Sequence, residues 1–447
     1  MALYSMAPFP RPVPPDLSRA RRALESARTL RPAGRVVQIV GLTLEAQGVD
    51  CELGEMVEIR FNSHGRLPAE VVGFKEGRTL LMPLGEMHGI QPGSLVIAGG
   101  DHFRAPVGRA LLGRVLDGLG RPIDGKGPLS STATVPITNI APHPLLRRPV
   151  TEPLATGVRA IDSLITCGKG QRLGIFSGSG VGKSTLMGAI ARNSRSDVSV
   201  IGLIGERGRE VQEFVEHYLG PEGLARSVIV VSTSDQPALV RLKGAWVATA
   251  IAEGFRDEGL DVTLLMDSVT RVAMAQREIG LAVGEPPASK GYTPSVFALL
   301  PKLMERAGTA ERGTITGFYT VLVEGDDFNE PISDAARSIL DGHIMLTRDL
   351  AVRNHYPAID VLHSVSRVMP AVTDAAHREN AAHLRRLLAA YEKARDLINI
   401  GAYAAGSDPQ IDEAIALMPK ALEFLQQGQA PTPYEETVQG LKSVFEQ

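Results

Sequence analysis

A glycine-rich segment follows an apolar run in this chain of 447 residues, and it limits the possible folds more than any other part of the sequence. The segment, Leu173–Thr185, reads LGIFSGSGVGKST. The order of an apolar strand, a glycine loop and a Gly-Lys-Ser-Thr helix start is typical of a phosphate-binding loop. Glycines let backbone N–H groups point at phosphate oxygens, and the helix N-terminus adds partial positive charge. The pattern therefore predicts a nucleotide-binding core, although a plain glycine turn before a helix is the alternative.

Each position of this loop has an expected task. Lys183 can reach the β- and γ-phosphates of a nucleotide, and the Ser184 hydroxyl can ligate Mg²⁺. The strict motif has glycine where this chain has Ser177, and we expect a small residue there to permit the same loop. The predicted cofactors are thus ATP and Mg²⁺, held by Ser177, Gly178, Ser179, Gly180, Val181, Gly182, Lys183, Ser184 and Thr185.

Two further apolar runs end in carboxylates. The run from Val262 ends at Asp267, and the run from Val198 is followed by Glu206. Beside a phosphate loop, the first carboxylate is expected to hold the magnesium shell, and the second could polarise an attacking water. The alternatives are an ordinary strand-end aspartate and a solvated charge cluster.

Pattern changes along the chain predict its organisation. Short β-branched runs between residues 34 and 100 predict a small β-barrel, and the Gly/Pro-rich residues 106–150 predict a linker with tight turns. From about residue 151, apolar strands alternate with helices, which predicts an α/β domain with a mostly parallel sheet. After about residue 369 only helices are expected, one of them opened by a capping box between Thr432 and Glu435. The predicted domains are an N-terminal arm at 1–33, a barrel at 34–105, the α/β domain at 106–370 and a helical domain at 371–447.

Charge and composition exclude several classes of protein. The formal net charge is −3, which argues against a protein whose main partner is a nucleic acid. No apolar segment is long enough to span a membrane. Two cysteines rule out a disulfide framework, and the scattered histidines suggest no metal beyond nucleotide-bound Mg²⁺. The first 35 residues carry seven arginines against two acids, so the predicted helix at 16–30 is either a solvated surface helix or a docking arm.

Long blocks of sequence resemble one family. They include GRVLDGLGRPIDGKGPL at 113–129, IGERGREVQEF at 204–214, GEPPASKGYTPSVF at 284–297, VLVEGDDFNEPISDAARSILDGHI at 321–344 and HYPAIDVLHSVSRVMP at 355–370. Together they resemble the catalytic subunits of rotary ATPases, and within these the ATPases of type III protein export, most of all the flagellar ones. The resemblance spans about residues 34–445.

The resemblance implies a RecA-like P-loop core between a β-barrel and a C-terminal helical domain, in a ring of six with nucleotide between neighbouring subunits. Glu206 matches the catalytic glutamate and Arg207 the adjacent phosphate-contacting arginine. Arg367 matches an arginine finger for the next subunit's site, with a structural ion pair as the alternative. Tyr356 matches the aromatic that stacks on adenine, with an ordinary core tyrosine as the alternative. Lys290 is a candidate residue of a translocation loop.

The implied function is Mg-dependent ATP hydrolysis coupled to type III protein export, flagellar before virulence-type. The expected partners are identical subunits, regulator and stalk proteins, chaperones with their cargo, and the membrane export gate, without nucleic acid. The expected location is the cytoplasm, peripheral to the inner membrane. Three alternatives remain at this point: a catalytic subunit of a proton-translocating ATP synthase, a non-enzymatic assembly platform and an RNA translocase, the last disfavoured by the near-neutral charge.

Overall fold

The computed structural model describes residues 17, 31–62, 64–130, 132–323 and 330–446. The predicted N-terminal helix at 16–30 lies outside these ranges except for Leu17, and five of the seven N-terminal arginines also lie outside them. No helix within them is both long and apolar enough to cross a membrane.

A closed barrel of six strands forms first along the chain, in the order β1-β2-β5-β4-β3-β6, with β6 pairing back to β1. Alternating residues of these strands, such as Leu44, Ile59 and Leu81, fill its interior. The predicted barrel is therefore confirmed. Its strands are β1 (Ala33–Val40), β2 (Thr43–Gln47), β3 (Glu55–Phe61), β4 (Gly65–Lys75), β5 (Arg78–Pro83) and β6 (Leu95–His102).

The segment predicted as a linker contains regular structure instead. Strands β7 (Arg104–Val107) and β9 (Ala133–Pro136) form a two-stranded sheet, and β8 (Arg114–Asp117) is the edge strand of the main sheet. Arg114 makes a bidentate ion pair with Asp124, with Nε–Oδ2 and Nη2–Oδ1 distances of 2.7 and 3.0 Å. This pair holds the turn that follows β8 against the strand. The linker prediction is wrong, because β8 has only four residues and the many glycines and prolines around it mask its apolar pattern in the sequence.

Within the described residues the main sheet has nine strands, and eight of them follow the order β19-β18-β12-β17-β15-β13-β14-β8. Neighbours are parallel except at β18–β19 and at the short β16, which pairs with β17. The predicted α/β class is confirmed. The remaining strands are β10 (Pro153–Leu154), β11 (Cys167–Gly168), β12 (Arg172–Ser177), β13 (Val198–Ile204), β14 (Ser227–Ser232), β15 (Asp261–Asp267), β16 (Gly308–Thr309), β17 (Thr314–Leu322), β18 (Gly342–Leu346) and β19 (Ile359–Ser366).

Helices cover both faces of this sheet, and alternate residues of its parallel strands enter two separate cores. On β12, Phe176 packs in one core and Ile175 in the other. The helices that follow the barrel are α1 (Arg159–Leu164), α2 (Lys183–Asn193), α3 (Gly208–Glu213), α4 (Gly220–Ala225), α5 (Ala238–Asp257), α6 (Val269–Ala282), α7 (Pro294–Met304), α8 (Pro331–Ile339), α9 (Arg348–Val352) and α10 (Met369–Val372). A π-helical stretch, Phe214–Leu219, joins α3 to α4, and short 3₁₀ turns occur at Arg109–Leu111, Pro144–Leu146 and Ser289–Gly291.

Three helices end the described chain: α11 (Ala375–Asn399), α12 (Pro409–Leu425) and α13 (Tyr434–Ser443). The predicted helical C-terminal domain is confirmed, and Asp408 caps α12 by accepting from Gln410 N. The capping box at α13 is wrong, because this helix has no side-chain cap. The Thr432 hydroxyl accepts from Gln427 instead, and Glu435 pairs with Arg195, so long-range partners replace the local ones.

Candidate active site

The phosphate loop lies at the carboxyl end of β12, near the middle of the sheet. Gly180 and Gly182 have φ angles of 78° and 90°, which side chains rarely adopt, so these two positions require glycine. Ser177 is the last residue of the strand, and its φ is not positive. The loop needs left-handed backbone only further on, which explains why a serine replaces the motif's first glycine.

The register of the parallel strands brings the two predicted carboxylates to the same edge. β17 lies between β12 and β15, and β15 pairs with β13 so that Asp267 is opposite Leu203. Glu206 follows the end of β13 by two residues. Because parallel strands end at the same edge of a sheet, both carboxylates converge under the phosphate loop.

Lys183 joins the two carboxylates. Its Nζ donates to Asp267 Oδ1 and lies 3.5 Å from Glu206 Oε1. Burial by itself lowers the pKa of the Lys183 ammonium, but Asp267 and Glu206 outweigh this effect and raise the pKa above its ordinary value. Lys183 is therefore a fixed cation, and the cluster of one lysine and two carboxylates is largely removed from water.

Glu206 has the electrostatics of a poised base. Burial is the largest cause that raises the pKa of its carboxyl to about 7; Asp267 and Glu210 add to the rise, and Lys183 opposes it. A carboxyl with a pKa near neutrality can accept a proton and release it again at physiological pH. Glu206 thus combines a strand-end position with the proton affinity that water activation requires.

A cavity of about 810 Å³ opens above this cluster. Arg207 reaches it from the start of α3, with its guanidinium 3.6 Å from Glu210 Oε1. The predicted site residues that line it are Ser177, Gly178, Ser179, Gly180, Gly182, Lys183, Ser184, Thr185, Glu206, Arg207 and Tyr356.

A second, more apolar cavity of about 310 Å³ adjoins the first. Gly182, Thr185 and Tyr356 line both cavities, and Val181 lines the smaller one. The Tyr356 side chain is 42% exposed, so it is not a core tyrosine, and its backbone carbonyl accepts from Gln427 N at 2.8 Å. An exposed ring beside an apolar recess suits stacking on a base.

Arg367 is not part of this cavity. It follows β19, which runs antiparallel to β18, and its N–H donates to the carbonyl of Asp341 at the start of the sheet's parallel strands. Asp341 pairs with Arg172, the first residue of β12. The six residues of β12 span about 17 Å at 3.3 Å per residue, so Arg367 lies at the edge opposite the phosphate loop of its own chain.

The donor set suits a magnesium ion. Ser184 lines the cavity, and Asp267 Oδ2 accepts no hydrogen bond within the described ranges. Hard oxygen ligands of this kind, in small number beside nucleotide phosphates, are those that Mg²⁺ prefers. No cluster of three or more histidine, cysteine or acidic residues that could hold a metal occurs in the described parts of the chain.

Sequence reasoning missed several residues at this site. Arg348, Tyr218 and Arg271 also line the large cavity. Thr320, on β17, donates to Asp267 Oδ1 at 2.6 Å. These residues come from distant segments without a motif, so only the pairing of strands and helices reveals them.

Comparison with known proteins decides the family. Residues 36–100 match the β-barrel domain of the ATP synthase alpha/beta family, residues 157–366 its nucleotide-binding domain, and residues 373–443 the C-terminal domain of the type III secretion ATPase EscN. The chain is 54% identical over 424 residues to the flagellum-specific ATP synthase of Bacillus subtilis, covering 94% of this chain and 97% of that one. The chain belongs to the type III export ATPases.

Other relatives agree with this assignment. The type 3 secretion system ATPase of Xanthomonas euvesicatoria is 52% identical over 428 residues, covering 95% of this chain and 96% of that one. The assembled ATPase EscN of enteropathogenic E. coli shares the fold with a TM-score of 0.88 at 46% identity, covering 92% of this chain and 99% of that chain. EscN has also been solved in complex with its central stalk, EscO. The protein is accordingly an ATPase, and the resemblance seen in its sequence is confirmed.

Proposed function

We propose that this export ATPase hydrolyses Mg-bound ATP in the 810 Å³ cavity and that hydrolysis serves flagellar protein export in a ring of six identical chains. The observation that carries the proposal is the convergence of Lys183, Glu206 and Asp267 beneath the phosphate loop. A structural nucleotide site has no need of a buried carboxyl with a pKa of about 7.

Binding would begin with the loop. Backbone N–H groups of residues 178–182 would receive the phosphates, and Lys183 would turn from the carboxylates towards the β- and γ-phosphates. Ser184 and Asp267 would hold the magnesium ion, which when bound neutralises charge on the transferred phosphoryl group. Tyr356 would stack on adenine at the smaller cavity.

Hydrolysis would need a base and a cation. Glu206 would accept the proton of the attacking water, and Arg207 would contact phosphate oxygens from the cavity wall. Arg367 lies too far from its own loop, so we assign it to the site of a neighbouring subunit. One chain then carries both halves of the site, and each interface in a ring of identical subunits could be active.

The proposed export system is inferred from the proteins to which this chain is similar. Flagellum-specific and virulence-type ATPases both match nearly the whole chain, and the C-terminal match to an export ATPase disfavours a subunit of a proton-translocating ATP synthase. We propose the flagellar system, with the virulence system as the second candidate, and we expect the neighbouring genes to decide between them. Stalk and regulator proteins, chaperones with cargo, and the membrane export gate are the proposed partners, at the cytoplasmic side of the inner membrane.

The proposed domains are an arm at 1–33, a barrel at 34–105, the nucleotide domain at 106–370 and a helical domain at 371–447. The strand bounds and the separate family matches support this division. Lys290, in a 3₁₀ turn at Ser289–Gly291, remains the proposed translocation-loop residue.

Mixing two inactive variants tests the shared site. Glu206→Gln should retain ATP binding but lose most turnover, and Arg367→Ala should lose most turnover by removing the finger. In an equal mixture, about a quarter of head-to-tail interfaces would combine an intact Glu206 with an intact Arg367. Steady-state ATPase assays should therefore show activity in the mixture that neither variant has alone. If the mixture stays inactive while wild-type activity rises with protein concentration, Arg367 is not a finger, and unchanged turnover in Glu206→Gln refutes the assigned base.

A further inference from the structure

A buried threonine contacts the carboxylate proposed to hold magnesium. Thr320 lies on β17, and its side chain is fully buried. Its hydroxyl is 2.6 Å from Asp267 Oδ1 and 3.4 Å from the carbonyl of Met266. A hydroxyl has a single proton to donate, and the shorter distance assigns it to the carboxylate.

Packing alone does not explain why this position carries a hydroxyl. β17 is almost wholly buried, and Phe318 and Val321 on the same strand are fully buried. A hydroxyl buried without a partner costs about 1–3 kcal/mol, so an apolar residue would suit the position if packing were its only task. The hydrogen bond to Asp267 offsets the free-energy cost of burying the Thr320 hydroxyl.

The two oxygens of Asp267 are used differently. Oδ1 accepts from both Lys183 Nζ and Thr320 Oγ1, whereas Oδ2 accepts no hydrogen bond within the described residues. When phosphates draw Lys183 away, Thr320 remains as the donor to Oδ1. The carboxylate then keeps one orientation, with Oδ2 available.

We infer that Thr320 is a positioning residue that fixes Asp267 so that its Oδ2 oxygen is available to the magnesium ion of the nucleotide. The inference rests on the proposed role of Asp267. Groups that orient metal ligands in this way typically change metal affinity or activity by about 10- to 100-fold when removed. Thr320 would therefore act on the magnesium dependence of hydrolysis rather than on nucleotide stacking.

The test compares variants of one strand. Thr320→Val keeps the shape of the threonine side chain but removes the hydroxyl that donates to Asp267. Thr320→Ser keeps the hydroxyl, and Thr320→Ala removes the hydroxyl together with the side-chain branch. Thr316→Val is the matched control, because Thr316 is also buried on β17 but accepts from Gly170 N at 2.8 Å, away from the carboxylates. The Mg²⁺ affinity of the full chain with bound ADP is measured by calorimetric titration, and ATPase rates are measured against free Mg²⁺ at saturating ATP. Thermal melting is the check on folding.

We expect the half-saturating Mg²⁺ concentration to rise about tenfold or more in Thr320→Val and Thr320→Ala, and to return near the wild-type value in Thr320→Ser. Thr316→Val should leave it unchanged. If Thr320→Val does not fold, Thr320→Ala carries the comparison. An unchanged magnesium dependence in a folded variant without the hydroxyl overturns the inference.

One more variant separates this inference from the function on which it rests. Asp267→Asn should lose most magnesium-dependent turnover whatever the role of Thr320. If Asp267→Asn is inactive but the Thr320 variants need no extra Mg²⁺, the positioning role fails and the proposed site stands. If Asp267→Asn hydrolyses ATP with a wild-type magnesium dependence, the proposed role of Asp267 fails instead.

Discussion

Ionised Glu206 should destabilise the nucleotide-free protein, and Glu206→Gln should relieve this cost. The pKa of the carboxyl rises from an ordinary 4.5 to about 7, chiefly because the group is buried. At about 1.4 kcal/mol for each pH unit, the change corresponds to about 3 kcal/mol. The residue proposed to activate water is thus held at the expense of stability, a trade-off known at active sites.

The sign of the pH dependence follows from proton binding. Between pH 4.5 and 7 the folded protein holds the Glu206 proton more tightly than the unfolded chain does. The folded state then binds more protons, so stability falls as the pH rises through this window. Above about pH 7 both states are ionised and the full cost is present. Glutamine has the same shape without the charge, and its advantage should therefore grow from pH 5 to pH 8.

Thermal unfolding without nucleotide or Mg²⁺ measures this difference. For a domain of roughly 200 residues, a gain of about 3 kcal/mol raises Tm by about 6–12 °C. We expect Glu206→Gln to melt higher than wild type by this amount at pH 8 and by little at pH 5. Glu216→Gln, at an exposed position in the neighbouring π-helical stretch, is the control for losing a negative charge. A Glu206→Gln advantage that is absent at pH 8, or equal at both pH values, would show that ionised Glu206 does not destabilise the folded protein.

Two other predictions concern the buried Arg306–Glu253 pair and the proposed adenine pocket at Tyr356. Arg306 is almost fully buried and donates to Glu253 and to the Ile137 carbonyl. Arg306→Met should cost about 3 kcal/mol, because Glu253 loses its ion-pair partner and keeps a hydrogen bond from Asn139 and a 4.0 Å contact with Arg256. The lower Tm should be partly restored by a second substitution, Glu253→Met. Tyr356→Ala should weaken ATP binding about tenfold or more through lost stacking, whereas Tyr356→Phe should bind ATP as wild type does in a calorimetric titration.

The strands of the core were predictable because they are buried on both faces. Parallel strands covered by helices on each side show as continuous apolar runs, and the runs at 198–204 and 262–266 mark β13 and β15 to within a residue. The edge strand β8 escaped prediction because its four residues lie among turn residues. The capping box failed for a different reason, since Thr432 and Glu435 find partners on other segments.

The candidate site residues divide in the same physical way. Lys183 and Glu206 follow apolar strands and Asp267 ends one, and the shared edge of a parallel sheet makes their convergence predictable from the sequence. Thr320 lies within a buried strand, and its partner is set by the neighbour of that strand in the sheet. No local pattern encodes such a neighbour, because β17 and β15 are joined by two helices and a short strand.

Arg367 is the opposite case. The sequence resemblance assigns it to a nucleotide site, but within one folded chain it lies far from the phosphate loop. Its place beside Asp341 puts the length of β12 between it and the phosphate loop. To reach the phosphate loop of its own chain, Arg367 would have to move across a fully paired sheet. Such a movement would break the strand hydrogen bonds that hold Arg367 and the loop in place. A second subunit avoids this cost, because it can present the arginine at the open cavity while both sheets stay intact. The distance between Arg367 and the phosphate loop of the same chain therefore favours a site shared between subunits. The mixing experiment tests directly whether the site is shared.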